Sequence, residues 1–347
     1  MNARLPPRLR AYSHVARARA LESTGLLHPR PYATHFIVTW RCNLRCTGCD
    51  AWQRDAAPEL NADQWRRIFE QIPTLDIVKI IGGEPFVRDD LADIVNTIRE
   101  VVDPFILQLV TNATLTERVL SFVEQHAWPG LHLRVSLDGL EETHDNARGV
   151  TGTYRRVMKT LEGLARIKER RRFQLAVNFT LTDDSIADMA PLLDLCRSLG
   201  VDLVPGFKVK PFLRHCNVAN ENVTTIGLQD RRVALPRLVS GEHGARQGFN
   251  SLEKRILRGI NRIVFRKHAR GGDSLKFRCR EVRNLMYLNP YGELMTCGLN
   301  HDPIGNLLEE GFEAVWHSER AQAAREKVDQ CPGCMQGAVE VMSSLYG

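Results

Sequence analysis

The chain has 347 residues, of which 43% are hydrophobic, 25% charged and 7% aromatic, a globular composition that excludes wholesale disorder and a fibrous repeat. Its mean hydropathy is -0.26, and with no apolar run near the length a bilayer requires, a transmembrane helix is excluded. The net charge of +6 conceals a division, since residues 1–34 carry six Arg against one Glu and residues 206–283 carry 18 basic against 6 acidic side chains, leaving the remainder acidic.

Such regional basicity, with no zinc-finger, helix-turn-helix or RNA-recognition signature, argues against a nucleic-acid-binding protein. The Arg-rich first residues lack an unbroken apolar stretch and a small-residue cleavage site, so they do not read as a secretory signal and the expected compartment is the cytoplasm. These residues, 1–34, are read as a basic N-terminal extension.

From residue 35 to 206, short β-rich apolar runs alternate with longer helical ones, the pattern of βα units around a parallel sheet. Strands are predicted over 35–40, 76–81, 105–111, 131–137, 173–181 and 202–206. Helices are predicted between them, among others over 61–72, where Asn61 and Gln64 have capping-box spacing, and over 184–199, which stops before Gly200. Six units are too few for an eightfold barrel, so the expected fold is α/β, a partial (β/α)6 barrel with its chemistry at the C-terminal ends of the strands.

Residues 207–278 break the pattern and read as a basic connector or cap. A helix predicted over 251–268 places Leu252, Ile256, Ile260, Ile263 and Val264 near one face and Lys254, Arg255, Arg258, Arg262, Arg266 and Lys267 mostly elsewhere. An ordinary packed helix with a solvated face is favoured over contact with an anionic membrane surface or a phosphorylated substrate. Lys208 and Lys210, just past the last strand, are substrate contacts or, more commonly for such residues, solvated loop charges. Residues 279–347 read as a small second domain, with a turn at Asn289-Pro-Tyr-Gly292, a helix over 310–328 and a closing Cys331-Pro-Gly-Cys334.

The cysteines carry the most specific signal. Cys42, Cys46 and Cys49 form C-x3-C-x2-C directly after a predicted strand. A structural zinc site closes on four ligands, whereas an iron-sulfur cluster held by three thiolates keeps one iron open to another ligand. From spacing alone, a zinc site completed from elsewhere, or thiols that bind nothing, stay open. Cys279, Cys297, Cys331 and Cys334 supply a second set, and four is the closed count for a 4Fe-4S cluster or for zinc. Ligand spacing without an export signal favours metal over disulfides. Cys196 falls on a predicted helix and reads as core, while Cys216 is unassigned.

Four further motifs follow the strands. In Gly82-Gly83-Glu84-Pro85 the adjacent glycines permit close backbone approach and Glu84 offers a carboxylate to an ammonium group, although the four residues could equally form a turn. Thr111-Asn112-Ala113 follows the third strand and Ser136-Leu137-Asp138-Gly139 ends the fourth, where Asp138 before glycine reads as a turn residue. Arg148 lies twelve positions beyond Ser136 and has the fork geometry to clamp a carboxylate.

Five motifs in this order resemble those of the radical S-adenosylmethionine (SAM) enzymes. The resemblance implies a 4Fe-4S cluster on Cys42, Cys46 and Cys49, with SAM contacts from Gly82, Gly83, Glu84, Asn112, Ser136 and Arg148, Glu84 receiving the methionine amino group. The C-terminal set, with Ile304-Gly-Asn-Leu307 and Trp316, resembles the SPASM or twitch domain of the same superfamily. Its four cysteines imply the shorter twitch form, with one auxiliary 4Fe-4S cluster on Cys279, Cys297, Cys331 and Cys334.

The implied activity is reductive cleavage of SAM to a 5'-deoxyadenosyl radical that abstracts a substrate hydrogen, with a flavodoxin- or ferredoxin-type electron donor. The expected outcome is oxidation of a small natural-product or carbohydrate-like molecule. A peptide is the runner-up substrate, because a leader-binding winged-helix domain needs more than the residues before the first strand. A non-catalytic iron-sulfur or electron-transfer protein is the competing class, and the Gly82–Glu84, Ser136 and Arg148 set argues against it. Two departures stand out. Gly48 occupies a position where many members have an aromatic adenine contact, leaving Trp40 or Trp52 either to substitute or to pack at the barrel mouth. Ala113 replaces a motif glycine, which matters only where φ is positive.

Overall fold

The computed structural model describes residues 13, 30–54, 57–207, 279, 281–298 and 300–330. The predicted basic helix, Lys208, Lys210, Cys216, Cys331 and Cys334 lie outside the described residues.

Six parallel strands are placed where alternation predicts them: β1 (Ala33–Ile37), β2 (Ile77–Ile81), β3 (Ile106–Thr111), β4 (Leu131–Ser136), β5 (Gln174–Leu181) and β6 (Asp202–Phe207). Helices α1 (Ala62–Phe69), α2 (Leu91–Thr97), α3 (Thr116–His126), α4 (Glu141–Arg148), α5 (Thr153–Lys168) and α6 (Met189–Ser198) make the crossovers. In α5 the buried Val157, Thr160, Leu161, Leu164 and Ile167 recur at helical spacing, which turns one apolar stripe onto the sheet. The capping box on α1 is present, Asn61 accepting from the Gln64 amide at 2.9 Å and Gln64 from the Asn61 amide at 3.0 Å.

The sheet runs β6-β5-β4-β3-β2-β1 and then continues into the C-terminal segment. There β7 (Leu285–Leu288) pairs in parallel with β1, while β8 (Glu293–Cys297) and β9 (Asn300–Asn306) add on antiparallel. The result is an α/β fold whose partial barrel stays open between β6 and β9.

Two differences from the sequence reading have local causes. β1 ends at Ile37 rather than at residue 40, because the Thr39 and Arg41 carbonyls accept from Gly83 and Glu84 instead of extending a strand. The helix expected over 310–328 is two helices, α7 (Phe312–Trp316) and α8 (Glu319–Asp329), because Ser318 is extended and its side chain caps α8 through the Ala321 amide.

The two faces of the sheet differ. Phe36, Val38, Val78, Ile80, Leu107, Leu109, Leu133 and Val135 face the helices in one apolar core. On the other face, Tyr287, His35, Lys79, Gln108, His132 and Gln174 fall in register across six neighbouring strands. One layer nearer the strand ends, Val110 is level with Arg134, and Arg134 with Ala176. Lying opposite the helices, this layer faces the lumen, and its polar make-up departs from the branched apolar filling usual in barrel interiors. Among the described residues, no helix is long and apolar enough to cross a membrane.

Candidate active site at the barrel mouth

The three-thiol loop is held by backbone. Gly83 donates to the Thr39 carbonyl at 2.7 Å and Glu84 to that of Arg41 at 2.9 Å. A Cβ on Gly82 would lie 2.4 Å from the Thr39 oxygen, and one on Gly83 2.3 Å from that of Arg41. The glycine pair therefore lets the ends of β1 and β2 touch. On the far side, Arg45 and Thr47 donate to the Arg148 and Ala147 carbonyls at 3.2 and 3.1 Å, satisfying orphan acceptors at the end of α4. Gly149 (φ +66°) completes that contact, since its Cβ would meet the Arg45 oxygen at 2.2 Å.

Cys42 and Cys46 are half-buried and Cys49 is exposed, and all three line one cavity of about 1040 Å³. Burial pushes the Cys42 thiol up to about 11, so a bound cation is needed to hold its thiolate near neutrality. Soft thiolates on a glycine-rich wall are a donor set that fits iron-sulfur chemistry.

Glu84 is buried at the edge of this cavity. One oxygen accepts from the Phe86 amide at 3.1 Å and the Thr111 hydroxyl at 2.7 Å, and the other accepts from the Asn112 amide at 2.6 Å. Burial pushes its pKa up to about 7 despite these donors. The Asn112 side chain donates to Asn43 at 2.9 Å, and Asn43 donates to Thr114 at 2.8 Å, so the third strand end is also tied to the thiol loop. Ala113 has φ +55°, the conformation in which the missing glycine matters.

At the fourth strand end, Ser136 lies level with Asn178, and both line the cavity. Asp138 does more than turn the chain. It accepts from the Thr180 amide at 2.8 Å and pairs with Arg148 at 2.5 Å, and its own amide donates to His144 Nδ1 at 3.0 Å. Arg148 Nη1 lies 3.8 Å from Cys46 Sγ, while its buried Nε has no hydrogen-bond partner among the described residues. That arrangement leaves a fixed guanidinium at a polar cavity wall, which suits an anionic group.

The structure thus gathers Cys42, Cys46, Cys49, Gly82, Gly83, Glu84, Asn112, Ser136 and Arg148 at one cavity. Cys297 lies apart on the β8–β9 turn, half-buried and accepting from the Asn300 amide at 3.2 Å, and Cys279 precedes β7. Trp52 lines the cavity, its indole donating to the Cys46 carbonyl at 3.3 Å. Trp40 is instead buried against Arg54 and His301. Sequence reasoning passed over Asn43, His144, Arg54, His301 and the lumen residues Lys79, His132 and Arg134. The lumen set had a signal, a polar residue at every second position of otherwise apolar strands such as Leu-His-Leu-Arg-Val-Ser.

Comparison with known proteins identifies the class of the fold. A model of the radical SAM superfamily matches residues 36–193, and one of an iron-sulfur cluster-binding domain, SPASM, matches residues 279–335. The chain belongs to the radical SAM superfamily and is an enzyme of it, with 4Fe-4S and SAM as the cofactors of the core and iron-sulfur as that of the C-terminal domain. Among curated relatives it is 34% identical to the pre-heme d1 synthase of Dinoroseobacter shibae over 179 residues, half of this chain but only 42% of that protein. It is 23% identical to the AdoMet-dependent heme synthase of Methanosarcina barkeri over 315 residues, 84% of each. Among solved structures, Streptococcus suis SuiB bound to S-adenosylmethionine covers all of this chain and is itself covered to 83%, with TM-score 0.65 at 17% identity. SuiB bound to its precursor peptide SuiA covers 97% of this chain and is covered to 78%, with TM-score 0.64 at 17% identity.

Proposed function

We propose that the chain is a cytoplasmic radical SAM enzyme that oxidises a small anionic substrate of the tetrapyrrole class. The observation that carries this reading is the end-to-end match, 84% of each chain, to a protein named as a heme synthase. The charge distribution supports it. Tetrapyrroles carry several carboxylates, and the segment after the last barrel strand holds 18 basic against 6 acidic residues, while Lys79 and Arg134 stand on the inner face of the sheet.

In this reading Cys42, Cys46 and Cys49 hold the SAM-binding 4Fe-4S cluster, and Cys279, Cys297, Cys331 and Cys334 hold an auxiliary one. When bound, the first cluster and SAM would supply a 5'-deoxyadenosyl radical that takes one substrate hydrogen atom, and the auxiliary cluster would accept the second electron that completes the oxidation. The chain's own part is placement. Arg148, oriented by Asp138, presents its cavity-facing guanidinium to the methionine carboxylate, with Ser136 beside it. Glu84 has three of its roughly four acceptor sites filled and offers the remaining one to the methionine ammonium. Gly82 and Gly83 keep the wall thin there, and Asn112 fixes its edge. Trp52 supplies the aromatic surface that Gly48 does not.

The test is anaerobic reconstitution followed by a dithionite assay for 5'-deoxyadenosine with and without added iron coproporphyrin and other polycarboxylate tetrapyrroles. Stimulated cleavage with a mass change in the tetrapyrrole is expected. Cleavage indifferent to every tetrapyrrole would overturn the substrate class. A peptide is the second reading, favoured by the fold's likeness to a protein solved with its precursor peptide, and isotope tracing that finds a modified peptide would establish it.

A further inference from the structure

Arg54 joins the two thiol-bearing segments. It follows the short turn Ala51–Gln53 after the three-thiol loop. Its Nη2 donates to Asp50 at 2.9 Å and to His301 Nδ1 at 2.6 Å. A guanidinium has no acceptor, so His301 Nδ1 must be unprotonated and the ring proton must sit on Nε2. There it donates to the Gly298 carbonyl at 3.1 Å. Burial first, and then the charge of Arg54, lower the His301 pKa, in keeping with a neutral ring.

Both ends of this chain of contacts abut a cysteine. Asp50 follows Cys49 and Gly298 follows Cys297. Trp40, two residues before Cys42, lies beneath both partners, with the Arg54 guanidinium 4.1 Å from its ring centroid and the His301 ring at 5.5 Å. The indole is buried and shields one side of the polar contacts from water, where hydrogen bonds and cation–π contacts gain strength. Backbone pairing of β7 with β1 and of β8 with β7 fixes the strands, whereas the turn that presents Cys297 lies past the end of those ladders and is reached by Arg54.

We propose that Arg54, His301 and Trp40 are positioning residues that clamp the Cys297 turn onto the three-thiol loop and so fix the separation and orientation of the two iron-sulfur clusters. This role rests on the two-cluster reading above. Electron exchange and magnetic coupling between clusters depend steeply on both quantities, so the clamp governs how one cluster senses the other.

The test compares Arg54→Met, which keeps packing over Trp40 but removes both hydrogen bonds, with His301→Phe, which keeps the ring but removes both nitrogens, and with the double variant. In the protein without iron, amide exchange over residues 297–301 and 50–54 is expected to rise about tenfold in each single variant, and no further in the double variant, because the two side chains form one contact. In reconstituted protein, iron is expected to stay at about eight per chain while the spin–spin splitting between the two reduced clusters changes. Unchanged exchange in both single variants overturns the clamp. Unchanged spin coupling at full iron overturns its effect on cluster geometry. Wild-type protein that takes up only about four irons overturns the two-cluster reading and the spacing role with it, while the iron-free exchange result separately decides whether the contact clamps the turn.

Discussion

The three-thiol loop and the Cys297 turn present similar chemistry on opposite kinds of support. The first is docked by main chain on both sides, through the Thr39, Arg41, Ala147 and Arg148 carbonyls. The second is docked by side chains, through Arg54 and His301. Main-chain docking is indifferent to most substitutions and intolerant of an added Cβ at the contact, whereas side-chain docking fails on one truncation. The loop read as holding the reactive cluster has the support that drifts least, and the turn read as holding the auxiliary cluster has the one that can be retuned residue by residue.

The largest effect is therefore expected from the smallest added group. Gly83→Ala puts a methyl 2.3 Å from the Arg41 oxygen and 2.6 Å from that of Trp40, and backbone on both sides leaves it nowhere to go. We expect a cost of about 3 kcal/mol, loss of about four irons per chain and loss of 5'-deoxyadenosine formation, read by urea unfolding, iron counting and the cleavage assay. Full iron in this variant would show that the loop is not held as described.

Arg148→Met probes the point where the loop's backbone support and the ligand wall share a residue. The Arg148 carbonyl still receives Arg45, but Asp138 loses its partner in a largely buried pair. Uncompensated burial of that carboxylate is expected to cost about 3 kcal/mol and SAM affinity to fall at least about tenfold, with Arg148→Lys intermediate because it keeps charge without the fork. Equilibrium dialysis of SAM against reconstituted protein measures the second effect. Affinity unchanged in both variants would remove Arg148 from the methionine site.

His144 supports the same pair from behind and gives it a pH dependence. Its ring is buried and its pKa is lowered from 6.5 to about 4, chiefly by burial and then by Arg148. The unfolded chain consequently takes up this proton first as pH falls, so stability is lost between pH 6.5 and about 4 and no further below. The full linkage is on the order of 3 kcal/mol. Urea unfolding of iron-free protein at pH 7, 5.5 and 4.5 should show that wild type loses about 1 kcal/mol or more beyond what His144→Gln loses over this range. Parallel acid arms in the two proteins would mean the ring is solvated or charged in the fold.

Legibility in the sequence followed the same division. The strands, the capping box on α1 and the ordered motifs could be read because alternation, cap spacing and cysteine spacing are local. The partners were not, because they are set by which strand ends meet. Glu84 reads as a carboxylate in a glycine turn, yet its bonds to Thr111 and Asn112 cross from β2 to β3. Asp138 reads as a turn residue, yet it orients Arg148 from ten positions away. Arg54 and His301 are separated by 247 positions, and nothing near either residue announces the other. Ser318 divides the expected C-terminal helix by capping α8 through the Ala321 amide.

Ala113 is the case where the sequence posed the question and the structure answers it. Its φ of +55° lies in the left-handed region, which costs a non-glycine residue roughly 1–2 kcal/mol. The strain is offset by local bonds, since the Ala113 amide donates to Thr111 at 2.9 Å and its carbonyl accepts from Thr160 at 2.7 Å. Ala113→Gly relieves the strain but gives up a buried methyl and adds chain entropy to the unfolded state, about 1 kcal/mol in the opposite direction. The net change in urea unfolding is expected to fall within about 1 kcal/mol of zero, with SAM cleavage retained, the mildest outcome of the set. Destabilisation well beyond that would mean that Ala113 does not adopt the left-handed conformation and that the third strand end is shaped differently around Glu84.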